Sequence, residues 1–288
     1  MFELDGERRL GALRPGRQDE VVDLSPVAHD MLALIDAGSE GLEEAKRTAR
    51  NPGGAVHTLE GLRLLPPLDP PRGNIIAIGR NYLRHAQETA RDGGGAEPPT
   101  VFSKAITSVT GPNDDIAIDP RVSDKLDWEV ELAVVVGRRG ANIARRSGLD
   151  HVFGYMVLND VSARDIQMGW GGQYFKGKSL DRSCPIGPWV VTRDELTDPQ
   201  ALRLQLRVNG MVKQDGSTED MIYPVDALIE WTSKGMTLLP GAIIATGTPD
   251  GVGFARTPPE FLKPGDLMET EVEGVGVLRN RIVAVQPD

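Results

Sequence analysis

Twelve residues, Leu126-Asp-Trp-Glu-Val-Glu-Leu-Ala-Val-Val-Val-Gly137, restrict the fold more than any other part of the chain. Their period of two predicts a strand, because successive side chains of a strand point to opposite faces. Trp128, Val130, Leu132 and Val134 then share one face. Glu129 and Glu131 share the other, which continues through Ala133 and Val135 into an apolar environment. Two neighbouring carboxylates on a half-buried face repel each other and lose solvation. A cation is the usual remedy, and a divalent metal held by oxygens is the first reading of the pair.

A third ligand lies at the end of a second apolar run, Phe153-Gly-Tyr-Met-Val-Leu-Asn-Asp160. Glu129, Glu131 and Asp160 would make a three-carboxylate site with open positions for water and substrate. Hard oxygen ligands suit Mg²⁺, Mn²⁺ or Ca²⁺ rather than zinc. The competing reading makes the three acids surface groups paired with lysine or arginine.

The surrounding pattern predicts an α+β chain that is predominantly β: a mixed β-sandwich roll preceded by a small N-terminal α+β domain. Residues 1–65 form the small domain, with short strands within 2–13 and 21–24. Ser25-Pro26 reads as an N-cap and first helical position, Val27, Met31, Leu32 and Ile35 as the apolar stripe, and Gly38 as the end of that helix. A second helix is expected over 42–50. The proline-rich stretch 66–73 is a stiff connector. In the remaining 74–288, strands are expected over 75–78, 132–136, 152–158, 189–191, 202–208, 242–245 and 277–285. Val208-Asn-Gly-Met211 signals a hairpin, and helices are expected over 82–90 and 225–234. The 33 glycines and 21 prolines suit many short strands and turns.

Other residues gather around this frame. His85 and Glu88 are three apart, hence neighbours on a helix, where a carboxylate fixes the tautomer of an imidazole that activates water. An exposed surface pair has the same spacing. The triple glycine at 93–95 reads as the hinge of a lid that brings this pair onto the metal. Lys178, between turn residues, would neutralise excess negative charge or polarise a substrate oxygen. The strand end Thr246-Gly-Thr-Pro-Asp-Gly251 offers amides and a hydroxyl to an anion, or is an ordinary turn. Cys184 is the chain's single cysteine, so no internal disulfide forms, and it reads as a small buried hydrophobe.

The net charge of −10 argues against a nucleic-acid surface. No apolar stretch approaches the roughly 20 residues of a membrane span, and the first residues lack a signal-peptide core. The cytoplasm is the expected location. Walker, His-Glu-x-x-His and Gly-x-Ser-x-Gly patterns are absent from the sequence.

Taken together, the chain resembles the fumarylacetoacetate hydrolase family. The matching stretches are Ile78-Gly-Arg-Asn-Tyr82 with His85 and Glu88, Phe102-Ser-Lys104, Asp127-Trp-Glu-Val-Glu-Leu-Ala133, Asn159-Asp-Val-Ser-Ala-Arg-Asp165 with Gln167, Gly177-Lys-Ser179, and Thr246-Gly-Thr-Pro-Asp-Gly-Val-Gly253. They run in family order. The resemblance implies a mixed β-sandwich roll, a homodimer and a Mg²⁺ or Mn²⁺ site on Glu129, Glu131 and Asp160. It implies that Lys178 is the site lysine, and that His85 and Glu88 form the lid dyad of the acylpyruvase-like branch. Arg80, Gln167, Gly247 and Thr248 are the implied substrate contacts. Arg182 departs from the family pattern, standing where several members carry a small hydroxyl residue near the metal.

The activity this implies is hydrolysis of the C3–C4 bond of 2,4-dioxo acids (acylpyruvates) to pyruvate and a carboxylic acid. Oxaloacetate decarboxylation and 2-hydroxy-dienoate isomerisation use the same parts. A non-catalytic, metal-bound small-molecule sensor is the alternative from another class.

Overall fold

The computed structural model describes residues 1–53, 55–89 and 98–285. At its centre is a seven-stranded sheet. In spatial order its strands are Thr100–Lys104, Ile75–Gly79, Ile243–Ala245, Val130–Val136, Val152–Asn159, Cys184–Thr192 and Val109–Thr110. The sheet is mixed. Ile75–Gly79 runs parallel to Ile243–Ala245, whereas Val130–Val136 is antiparallel to both of its neighbours.

All seven residues of Val130–Val136 are buried, because the strand separates two cores. Val130, Leu132, Val134 and Val136 pack into one, with Leu204, Leu206, Met268 and Leu278. The last four come from a second, five-stranded sheet: Ile116–Ile118, Gly276–Ala284, Leu267–Val272, Arg203–Val208 and Met211–Ser217. Ala133 and Val135 face the other core, with Leu10, Leu34, Ile35 and Ile243. The two-face pattern expected from the sequence is therefore the actual pleat, and the chain is predominantly β. The Asn209-Gly210 hairpin forms with φ of 52° and 77°, as a two-residue turn of matching twist requires.

The N-terminal elements cover the outer face of the seven-stranded sheet. Phe2–Leu4 pairs with Glu7–Arg9 and Arg63–Leu64, and Arg17–Asp23 pairs with Gly11–Arg14 and Val56–Thr58. The first helix is Met31–Asp36, so the expected start at Ser25 is corrected. The Asp30 side chain accepts the Ala33 N–H at 2.7 Å and takes the capping role, while Val27 and Ala28 turn back onto the Leu24 carbonyl. The second helix begins at Gly38, at φ 63°, and runs to Arg50. No helix among the described residues is long and apolar enough to cross a membrane.

Candidate active site

The acidic cluster follows from strand register. Val130 pairs with Asn159, which sets Glu129 opposite Asp160, and the Asp160 N–H donates to the Glu129 carbonyl at 2.9 Å. Directly opposed residues share a face, and so do residues two apart. Glu129, Glu131 and Asp160 therefore converge, each offering an oxygen within 4.8 Å of the others, and all three are buried.

Basic residues meet two of these acids. Lys178 Nζ lies 2.8 Å from both Glu129 Oε2 and Asp160 Oδ2. Lys104 Nζ is 2.7 Å from Asp160 Oδ1 and donates to the backbone carbonyls of Val161 and Lys178. Arg164 Nη2 is 2.7 Å from Glu129 Oε1. Its Nε donates to Asp127 Oδ2 at 2.8 Å, its Nη1 donates to Gln167 Oε1 at 2.9 Å, and the guanidinium stacks 4.3 Å from the Phe254 ring centre. Asp127 also accepts the Gly253 and Phe254 N–H groups, so the 253–254 turn and Arg164 are locked together. The acids thus converge and are ion-paired at once.

Glu131 is the exception. It accepts the Gly247 N–H at 2.7 Å, and no lysine or arginine forms an ion pair with it among the described residues. Burial, then the nearby charges of Asp160 and Glu129, push its carboxyl well above the usual range. Burial also pushes Glu129 up, but Lys178 and Arg164 outweigh it and hold that carboxyl at about 2. Burial lowers Lys178, and the same two acids more than reverse it, so its ammonium is firmly held. One buried carboxylate without a counter-charge, beside two more within reach, is a donor set that fits a divalent ion of the hard, oxygen-binding kind.

The Gly247 amide is committed to Glu131, and the Thr246 N–H to the Leu132 carbonyl. This corrects the expectation that these amides hold a substrate anion: the strand end serves the chain's own carboxylate. Glycine is required here, since φ is 98° and a Cβ would stand 2.8 Å from Asn81 Cβ. The Thr248 hydroxyl donates to the Val130 carbonyl and accepts from Gln214 Nε2.

Beside the acids opens a cavity of about 370 Å³, whose wall includes Arg80, His85, Glu129, Arg164, Lys178 and Phe102. Gln167 and Thr248 line it too. His85 is buried on the short helix Leu83–Glu88, with Nδ1 2.9 Å from Glu88 Oε1, so Nε2 is the ring nitrogen left unengaged by that carboxylate. Both Glu88 oxygens also accept the Gly251 N–H at 3.2 Å, which pins the helix to the far loop. The triple glycine at 93–95 lies outside the described residues. Arg182, the departure from the family pattern, has an exposed side chain that reaches Asp114 at 2.9 Å. Cys184 is buried, and burial drives its thiol up to about 12, as expected of a small core residue.

Sequence reasoning gave no role to Lys104, Asp127 or Arg164. Each sits in a stretch recognised for other residues, and nothing in a lone basic residue names the acid it will meet.

Residues 74–283 match the model of the fumarylacetoacetate (FAA) hydrolase C-terminal family. The oxaloacetate tautomerase YisK of Bacillus subtilis is 44% identical over 272 residues, covering 92% of this chain and 90% of that protein. The solved fumarylacetoacetate hydrolase of Exiguobacterium antarcticum superposes with a TM-score of 0.86 at 38% identity, covering 99% of this chain and 98% of that one. The maleylpyruvate hydrolase of Sphingobium sp. SYK-6, solved with manganese(II) and pyruvate, superposes at 0.80 with 31% identity, covering 99% and 98%. The chain belongs to the fumarylacetoacetate hydrolase family and is an enzyme of that superfamily.

Proposed function

We propose that this enzyme moves a proton at the carbon next to the oxo group of a small 2-oxo acid, and that its reaction is the keto–enol tautomerisation of oxaloacetate. The observation that carries this reading is the placement of His85 on one cavity wall with Lys178 and Arg164, its tautomer set by Glu88. A relative matching nine-tenths of the chain is named an oxaloacetate tautomerase, which supports the same choice.

His85 Nε2 takes a proton from C3, and the proton returns to the 2-oxo oxygen to give the enol; the reverse direction uses the same groups. Glu88 keeps Nδ1 protonated, so that Nε2 is the accepting nitrogen. Lys178 and Arg164 present N–H groups to the negative charge that develops on the 2-oxo oxygen. Glu129, Glu131 and Asp160 would hold a divalent ion, Mg²⁺ or Mn²⁺, which supplies Lewis-acid stabilisation of that charge when bound. Phe102 and Phe254 are apolar parts of the same cavity wall.

A second reading, hydrolysis of acylpyruvates, has its support in the likeness to maleylpyruvate hydrolase along nearly the whole chain. There His85 takes the proton from a water instead, hydroxide attacks C4, and the C3–C4 bond breaks. Purified protein with Mg²⁺ should be given enol-oxaloacetate and acetylpyruvate side by side, each followed by ultraviolet absorbance. Faster decay of the enol with acetylpyruvate intact supports tautomerisation. Cleavage of acetylpyruvate alone replaces it with hydrolysis. Binding of these acids without any turnover favours a sensor.

A further inference from the structure

Strand Met211–Ser217 forms one edge of the five-stranded sheet, and Gln214 is its one buried residue. A buried amide needs partners on both its oxygen and its nitrogen. Gln214 has three. Its Oε1 accepts the Val130 N–H at 2.9 Å, and its Nε2 donates to Thr248 Oγ1 and to the Pro249 carbonyl, each at 2.8 Å. Val130 stands between Glu129 and Glu131. Thr248 and Pro249 belong to the 246–251 turn. One end of that turn gives its Gly247 N–H to Glu131, and the other gives its Gly251 N–H to Glu88.

The edge strand presses on this turn at both ends. Arg256 Nη2 donates to the Lys213 and Gly251 carbonyls, at 2.6 and 3.4 Å, and clasps the two segments together. Trp128 Nε1 donates to the same Gly251 carbonyl at 3.2 Å. At the other end Gly216 permits close approach, since a Cβ there would stand 2.5 Å from Pro249 Cβ. Gly251 is therefore not a free loop tip. Its N–H is aimed by packing that begins in the second sheet, and the Glu88 carboxylate rests on it.

We propose that Gln214 is a positioning residue for the His85–Glu88 pair: it fixes the 246–251 turn against the acid strand, and the turn fixes the carboxylate that sets the imidazole. This rests on the reading of His85 as the group that moves the proton. The hydrogen bonds of Gln214 reach neither His85 nor Glu88, so its influence passes through Thr248, Pro249 and Gly251. Loss of the amide strips the Val130 N–H and the Pro249 carbonyl of their partner and frees the turn to shift. Residues that act through one hydrogen-bond network lose less than the product of their single losses when replaced together, whereas independent residues multiply.

Two variants move the turn in different ways. Gln214→Met removes the amide at similar volume. Gly216→Ala removes no hydrogen-bonding group and pushes on Pro249, so it carries the test if Gln214→Met fails to fold. Nitrogen-15 NMR, at a pH where the ring is neutral, reads the imidazole tautomer directly. His85 is one of four histidines and is assigned by the loss of its signals in His85→Ala. Both variants should turn the single Nδ1-protonated form of the wild type into a mixture of tautomers. They should also lower kcat for C3 proton exchange of oxaloacetate by about fivefold or more, with KM within about twofold. Combined with Glu88→Gln, each should add less than about twofold to the loss of Glu88→Gln alone. Wild-type tautomer signals in both variants, or losses that multiply with Glu88→Gln, overturn the proposal. A tautomer that depends on Gln214, without any exchange in the wild type, leaves the positioning role standing and removes the tautomerase reading. Exchange with a tautomer indifferent to both variants does the reverse.

Discussion

His85 Nδ1 and Glu88 Oε1 stand 2.9 Å apart on one short helix, and the same carboxylate reaches across to the Gly251 N–H. Glu88 therefore has two tasks, setting the imidazole and holding its helix against the loop opposite. Glu88→Gln keeps the shape and removes the charge. The variant should lose roughly 10- to 100-fold in kcat, part of the contribution typical of a positioned acid–base group, with little change in KM. A stopped-flow assay of enol decay reads both constants.

Lys104 presents a separate expectation. It is fully buried against Asp160, and removing one partner of such a pair leaves an uncompensated charge. Lys104→Met should destabilise the metal-free protein by about 3–5 kcal/mol. Mg²⁺ or Mn²⁺ brings positive charge to the same acids, so it should raise the melting temperature of the variant more than that of the wild type. A calorimetric melt with and without metal compares the two. Equal shifts would contradict the view that lysine and metal serve the same carboxylates.

Cys184 sits among apolar neighbours with its thiol pushed up to about 12 by burial. The reactive thiolate is consequently scarce at neutral pH. Iodoacetamide at pH 8 should leave the native protein unmodified by mass spectrometry and label it fully in denaturant. Rapid native labelling would show that the outer core opens readily.

The N-terminal layer has its own pH signature. Burial alone would raise the Asp23 carboxyl, but hydrogen bonds from Ser25 and Arg9 outweigh it and hold it below the usual range. A lowered folded-state value means the stabilisation is complete above the ordinary carboxylate range and is lost as pH falls through the lowered value. Asp23→Asn should cost about 1 kcal/mol at pH 7, or about 3 °C in melting temperature. The gap between variant and wild type should begin to narrow below about pH 4, where the unfolded-state carboxyl protonates, and close as pH falls through the lowered folded-state value. A gap that persists at low pH would point to packing rather than charge.

Much of the site was legible because period and register do most of its construction. Glu129 and Glu131 share a face by the pleat alone. Asp160 joins them because its strand is the next in the sheet and pairs antiparallel. His85 and Glu88 meet through helical spacing. What could not be read were the long-range partners. Lys104 comes from the sheet edge, Arg164 from a short helix, and Asp127 reaches a turn more than 120 residues away. The first N-terminal helix was misplaced because Ser25-Pro26 and Asp30 both carry starting signals, and the side chain of Asp30 makes the bond. The family pattern says only that a small hydroxyl residue often stands at position 182; it does not say where an arginine goes, and here Arg182, at φ 54°, pairs with Asp114.

The most direct measurement is C3 proton exchange of oxaloacetate in D₂O, catalysed by Mg²⁺-loaded wild type and His85→Ala, with the metal-only background subtracted. The account predicts rapid exchange by the wild type, its loss on chelation, and a fall of at least about 100-fold in His85→Ala. Exchange in His85→Ala at the wild-type rate would contradict it.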